Sequence, residues 1–305
     1  MVQINDSLIE IMSPVGSYEA LMAAIQAGAG SVYFGIGKMN MRSRSSANFD
    51  HDDLEKITSI CKENDVKSYL TVNTVVYNNE IDDLKSLLDW AKKCEVSAII
   101  ASDFAVLEYA RQIGLEIHIS TQCNITNIEA VRFFSRYADV VVLARETELA
   151  QVAEISKKIK EDNICGPSGK SVDIEMFIHG ALCMAVSGKC YLSLDNFNYS
   201  ANRGACLQPC RRGYKVQDLE NEVELAIENQ YIMSPKDLCT ISFLDKIIKA
   251  GVTVLKIEGR GRSPEYVKTV TQCYQEALLS IANETYNQEK IESWTTRLKS
   301  VYNRD

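Results

Sequence analysis

The chain has 305 residues, a formal net charge of -8 and 10 cysteines. That length makes one large domain or two small ones, and 46% hydrophobic with 24% charged residues is the balance of a soluble globular protein with a sizeable core. The acidic balance argues against wholesale nucleic-acid binding, although Arg203, Arg211, Arg212 and Lys215 form one local basic group and Lys256, Arg260 and Arg262 another.

The opening residues, MVQINDSLIEIMSPVG, have neither a basic n-region nor a long apolar stretch, so no signal peptide is expected. No apolar run is long enough to cross a membrane. A cytoplasmic, reducing location follows, in which many cysteines point to metal or catalysis rather than disulfides. Strands are predicted at 8–13, 31–36, 67–72, 97–102, 116–121, 139–144, 173–178 and 252–257. Most are continuous apolar runs, the pattern of a parallel sheet covered on both faces. Amphipathic helices are predicted between them, at 17–28, 80–94 and 146–160 among others, with Gly28 and Gly114 as terminators. Such β-α alternation over roughly 280 residues predicts a (β/α)8 barrel of TIM type, with a doubly wound open sheet as the alternative.

One unit is irregular. After the seventh strand the next helix is expected only near residue 241, so the connection is roughly sixty residues, far beyond an ordinary βα loop. Four cysteines, Cys183, Cys190, Cys206 and Cys210, sit at its start, a small hairpin is expected within 214–235, and Cys239 lies at its far end. It leaves the carboxyl end of a strand, the face where barrel active sites are built. The expected organisation is a barrel over 1–285, an insertion over 181–240 and a polar helical tail over 286–305.

Converging thiolates hold iron–sulfur or zinc. Zinc ligands usually come as close pairs. Here six residues separate Cys183 from Cys190 and three separate Cys206 from Cys210. A cubane cluster tolerates such spacing, because each of its irons takes one thiolate from its own direction. A [4Fe–4S] cluster is the leading reading, zinc the alternative, and buried free thiols the bland one. Cys239 could replace one ligand if its loop returns to the mouth. Cys61, Cys94, Cys123, Cys165 and Cys273 read as scattered structural thiols.

The strand ends supply a polar ring: Asn73, Asp103, Gln122, Arg145, His179 and Glu258. On a barrel these positions converge on one mouth, although any single one could equally cap or brace a loop. Arginine suits a carboxylate or phosphate through paired hydrogen bonds. His179 and Glu175 are candidates for moving protons, while His51 reads as a surface residue and His118 as a strand residue. No HExxH, GxSxG or Walker motif is present, and GRGRS at 259–263 lacks dinucleotide-fingerprint spacing.

The stretch EMFIHGALCMAVSGKCYLS at 175–193 resembles the signature of the collagenase-like peptidase family, unclassified-peptidase group thirty-two. Glu175, Phe177, Gly180, Ala181, Leu182, Cys183, Gly188, Cys190, Leu192 and Ser193 all fit it. Four further stretches agree: IMSPVGSYEALMAAIQAGAGSVYFG, NRGACLQPCR, SPKDLC and KIEGRGRSPEYV. Some members of that family are described as collagen-degrading peptidases. Others carry a [4Fe–4S] cluster and hydroxylate without oxygen, with prephenate as oxygen donor, acting on the tRNA wobble uridine, a ribosomal RNA cytidine or a quinone precursor. NRGACLQPCR and ENQYIMSPKDLC look most like the tRNA branch. With the strand-end reading, Glu175, His179, Arg145 and Glu258 are the candidate catalytic residues for such chemistry. Arg42, Asn73, Gln122, Arg260 and Arg211 are the candidates for substrate binding, and basic residues of 203–215 for contact with tRNA phosphates. The resemblance implies the four cysteines as cluster ligands, with Cys239 as alternate. Larger relatives carry a further C-terminal β domain, so a paralogous partner subunit, or truncation of a longer protein, is a second expectation. The competing readings are a peptidase, and a non-catalytic subunit that holds a cluster or RNA for a longer relative.

Overall fold

The structure is a computed structural model that describes residues 1–44, 49–222, 224 and 230–303. In chain order its elements begin with β1 (Val2–Ile4), β2 (Ser7–Pro14), α1 (Tyr18–Gln26), β3 (Ser31–Phe34), α2 (Asp53–Glu63) and β4 (Lys67–Val72). There follow α3 (Ile81–Lys93), β5 (Ala98–Ala101), α4 (Phe104–Ile113), β6 (Ile117–Ile119), α5 (Ile128–Phe134), β7 (Val140–Val142) and α6 (Leu149–Glu161). The remainder is β8 (Asp173–Gly180), α7 (Leu192–Phe197), β9 (Leu238–Cys239), α8 (Leu244–Lys249), β10 (Val254–Ile257), α9 (Pro264–Ala282) and α10 (Gln288–Ser300).

Strands β2 to β8 pair in sequence order, all parallel, and β10 lies between β8 and β2. Because β2 pairs with both β3 and β10, the sheet closes. Closure excludes the doubly wound alternative. All eight expected strands are present, with small shifts at their ends. Both faces of the wall are apolar. Ile11, Val32, Phe34, Leu70 and Ile99 pack outward under the helices, while Met12, Tyr33, Tyr69, Ile100 and Val140 form a separate cluster inside. Burial on both faces is why these strands read as continuous apolar runs. The sequence reading missed β1, an antiparallel hairpin arm on β2 whose Val2 and Ile4 are buried. Three residues are too few to show a period.

Helix starts follow capping chemistry. Ser17 and Ser263 accept backbone N–H bonds at the starts of α1 and α9, and Pro264 occupies the first turn of α9. Gly114 ends α4 in the left-handed region. The expected tail helix is α10, whose Trp294 and Leu298 are buried and whose Arg297 pairs with Glu276 of α9. Among the described residues no helix is long and apolar enough to cross a membrane.

The insertion leaves the barrel at Gly180, where φ is +101° and an added Cβ would lie 2.5 Å from the Glu258 carbonyl oxygen. Only glycine fits there without strain. The chain then covers the mouth with α7 and two short 3-10 turns, Ala201–Arg203 and Pro209–Arg211. It returns as β9, antiparallel to β8 with Cys239 opposite His179. The hairpin expected over 214–235 lies partly outside the described residues. The described part has an antiparallel bridge from Gln217 to Glu224.

Candidate active site at the barrel mouth

Beneath the insertion lies a cavity of about 160 Å³ at the carboxyl ends of the strands. Cys183, Cys190, Cys206 and Cys210 all line it. The four arrive from the loop after Gly180, the start of α7 and the two 3-10 turns, so the fold of the insertion is what converges them. Cys210 is close enough to the other three for their thiols to act on it; burial first, then these neighbours, push its thiol up, and Arg211 opposes them. A second cavity of about 220 Å³ lies beside the first and shares Cys183, Cys206 and Cys210 with it.

Among the described residues no group of three or more His, Cys, Asp or Glu side chains is gathered tightly enough for a single metal ion. A tetrahedral zinc needs its four thiolates about 3.8 Å apart, whereas a cubane cluster, a larger body, holds its thiolates further from one another. Four cysteines around one cavity are a donor set that suits a [4Fe–4S] cluster or a zinc ion. Cys239 does not belong to it. It lines neither cavity, and its thiol acts on Tyr274 and Cys273 of α9.

The cavity is cationic. Arg42, Arg145, Lys256 and Arg260 line it, against one carboxylate, Glu258, with a second, Glu175, directly behind Lys256. Four positive and two negative groups leave a surplus of two. Arg42 donates to Glu258 at 3.0 Å. Burial pushes the Glu258 carboxyl up, but Arg42, Arg145 and Arg262 outweigh it, and the group stays below the usual carboxylate range. Arg260, pulled down to about 10 by burial, donates to Asn40 and Thr71 at 3.0 and 2.9 Å, both neutral. The Arg145 guanidinium lies 4.4 Å over the ring of Phe177, and its buried Nε has no hydrogen-bond partner among the described residues. Arg145 and Arg260 thus carry the surplus charge.

The remaining expected site residues divide. Asn73 and Gln122 line the cavity while also bracing it: Asn73 accepts from the Met41 amide at 3.1 Å and Gln122 from the Ser102 hydroxyl at 3.1 Å. Asp103 is a cap, accepting from the amides of Ala105 and Val76. Arg211 lies beside the second cavity, where it ties the insertion together by donating to Ser234 and to the carbonyls of Pro235 and Leu182.

Two expectations need correction. His179 does not reach the mouth. The register of β8 against β10 slips after the Phe177–Lys256 pair, so that Ile257 faces His179. That bulge reverses the inward–outward alternation and turns the imidazole out to α9, where its Nδ1 lies 3.3 Å from the Tyr274 hydroxyl. Burial, then the charge of Arg262, hold it down to about 4, so it is neutral near pH 7. Glu175 points inward but sits one layer below the mouth, with no exposed surface. It is bonded to Lys256 Nζ at 2.6 Å and to His118 Nδ1 at 2.8 Å. Lys256 stood out in the sequence only as a member of a basic group, not as a site residue. The period of two along β10 could have found it, since a strand that aims Glu258 at the mouth aims Lys256 just beneath.

The basic loop also differs from expectation. Arg203 is held by Glu80 and lies over Tyr77, Lys215 pairs with Glu224 at 3.1 Å, and Arg212 lies 4.9 Å over Phe197. Much of this charge is spent within the chain.

The profile described as Peptidase family U32 matches residues 16–305. The chain belongs to peptidase family U32. A collagenase of Porphyromonas gingivalis is 61% identical over 99% of this chain and 73% of its own length. The tRNA hydroxylation protein P1 of Bacillus subtilis is 33% identical over 97% of this chain and 69% of its own. Among solved structures, the U32 peptidase Mk0906 superposes with a TM-score of 0.52 at 14% identity, covering 85% of this chain and 96% of that one. The last likeness concerns the fold alone. Within family U32, then, relatives of this chain bear names from two chemistries, peptide cleavage and RNA hydroxylation.

Proposed function

We propose that this U32 protein is an iron–sulfur enzyme that hydroxylates an RNA pyrimidine without oxygen, the wobble uridine of tRNA being the substrate. The observation that carries the reading is the joint lining of one cavity by four cysteines and a two-charge cationic surplus. Cys183, Cys190, Cys206 and Cys210 would hold a [4Fe–4S] cluster, which when bound supplies electron transfer at the mouth. Arg145 and Arg260 would bind the carboxylates of a small dianionic oxygen donor such as prephenate, and Arg42 and Glu258 would orient each other beside it. Both the cluster and the donor are anionic, and both draw on the same surplus.

For the RNA, the exposed aromatic residues offer more than the basic loop. Tyr77, Phe104 and Tyr191 stand 55%, 66% and 73% exposed on segments that follow strand ends or flank Cys190. Rings so placed stack unpaired bases, the usual mode of single-stranded RNA recognition.

The peptidase reading is favoured by the 61% identity to a protein named collagenase. Against it, the histidine base that commonly activates a cysteine nucleophile is not at the mouth, since all three histidines lie elsewhere. His51 is stacked on Trp90, His118 is inside the barrel and His179 faces α9.

Anaerobic purification, with an absorption spectrum, iron and sulfide assays and a gelatin-cleavage assay, separates the two. The expected result is a brown protein with about four irons per chain and no gelatin cleavage. A colourless protein with stoichiometric zinc, or one that cleaves gelatin, overturns the proposal. Mass spectrometry of tRNA nucleosides from a deletion strain then reads the substrate. The 5-hydroxyuridine derivatives should disappear, returning with the wild-type chain but not with Arg145→Ala.

A further inference from the structure

Barrel interiors of this type are normally filled by layers of branched apolar side chains, and Met12, Ala98, Ile100, Val140 and Val254 fill part of this one in that way. Against them stands a charged pair. Glu175 and Lys256 lie side by side on β8 and β10, buried, with Nζ 2.6 Å from Oε1. His118, from β6 on the far side of β7, faces the other carboxylate oxygen at 2.8 Å, so this nitrogen carries the proton when Glu175 is ionised. Among the described residues the far nitrogen of His118 has no hydrogen-bond partner, and the nearest carboxylate, Glu116, lies 3.8 Å from it. Such a pair is poor value for stability, because desolvating two charges commonly outweighs their attraction and apolar residues of similar volume do as well. Its position suggests another use. The lysine lines the cavity, while the glutamate and histidine do not.

The ammonium group has three donors, one of which is committed to Glu175. Its Nζ lies 4.7 Å from the Tyr33 ring centre and 5.4 Å from that of Phe177, the ring that also carries Arg145. The two aromatic faces confine it, and the cavity is the open side. We propose that Lys256 binds a carboxylate of the ligand in the cavity as a third cationic contact, and that Glu175, oriented by His118, is the positioning residue that aims it. This inference rests on the reading of the cavity as the site of a small dicarboxylate.

The test is prephenate binding by isothermal titration calorimetry on anaerobically purified protein, with melting curves to verify folding. Lys256→Met alone would bury an unpaired Glu175 and risks misfolding. The double variant Lys256→Met/Glu175→Gln removes both charges and keeps the volumes. It should weaken prephenate by about tenfold or more, the worth of one charge-assisted hydrogen bond. Glu175→Gln keeps an acceptor that aims Lys256 and removes the competing negative charge, so prephenate should bind more tightly than to wild type. A double variant that binds like wild type overturns the assignment of Lys256. So does a Glu175→Gln variant as weak as the double, since the pair would then act only as structure. If wild type itself binds no prephenate, the dicarboxylate reading falls, and this inference with it.

Discussion

His179 and Glu175 are four residues apart on one strand, and a single bulge gives them opposite surroundings. For His179 the consequence is a linkage between protonation and stability. Its folded value, about 4, lies below the ordinary 6.5, so the unfolded chain binds the proton first as pH falls. Stability from this group is complete above pH 6.5 and is lost as pH drops from there towards 4, by about 3 kcal/mol in all. Denaturant titrations between pH 7 and pH 4.5 should therefore show a steeper loss for wild type than for His179→Phe; parallel losses would refute the assignment. The cysteines make a second prediction at this scale. Cys210→Ser should lose cluster iron, whereas Cys239→Ser, whose thiol faces α9, should retain it. Iron assays on the two variants read the difference, and equal losses would restore Cys239 as a ligand.

The insertion is held at its two ends by different devices. Gly180 lets the chain leave β8 past the Glu258 carbonyl, and β9 returns it by pairing with β8. In between, Gly204, with φ of +78°, abuts the Asn40–Ser43 turn, and its carbonyl accepts from the Arg44 amide at 3.1 Å. Gly180→Ala must shift the chain away from the Glu258 carbonyl, and Glu258 is the partner of Arg42. The expected cost is about 1–3 kcal/mol of stability, read as a lower denaturant midpoint. An unchanged midpoint would mean that the loop relaxes freely.

Across the whole molecule, the net charge of -8 and the cationic mouth are compatible, because the positive groups are gathered inside a cavity rather than spread over a face. The outer arginines of the insertion are tied to Glu80 or to aromatic rings. RNA binding should therefore depend only weakly on salt, with a slope of log K against log[salt] of about −2 or shallower, where a phosphate-driven binder shows many more released counterions. Tyr191→Ala should weaken a single-stranded anticodon-loop RNA more than Lys215→Ala does. Filter binding over a range of salt measures both quantities, and a steep slope with no effect at Tyr191 would put the contact back on the basic loop.

The eight strands and the cysteine insertion were legible in the linear chain, whereas the barrel was one of two arrangements, decided by the pairing of β2 with both β3 and β10. Strands and insertion are local signals: apolar runs buried on both faces and a cysteine-bearing signature over adjacent residues. The sequence also placed Arg145 and Glu258 at strand ends and Arg260 in a basic group just beyond the last of them, and the fold gathered all three. Partnerships between distant residues came from folding alone: Lys256 with Glu175, Arg42 with Glu258, Arg203 with Glu80, and Cys239 with α9 rather than with the other cysteines. Strand register sets those pairings, and a one-residue slip, invisible in a linear pattern, changes which face a side chain meets.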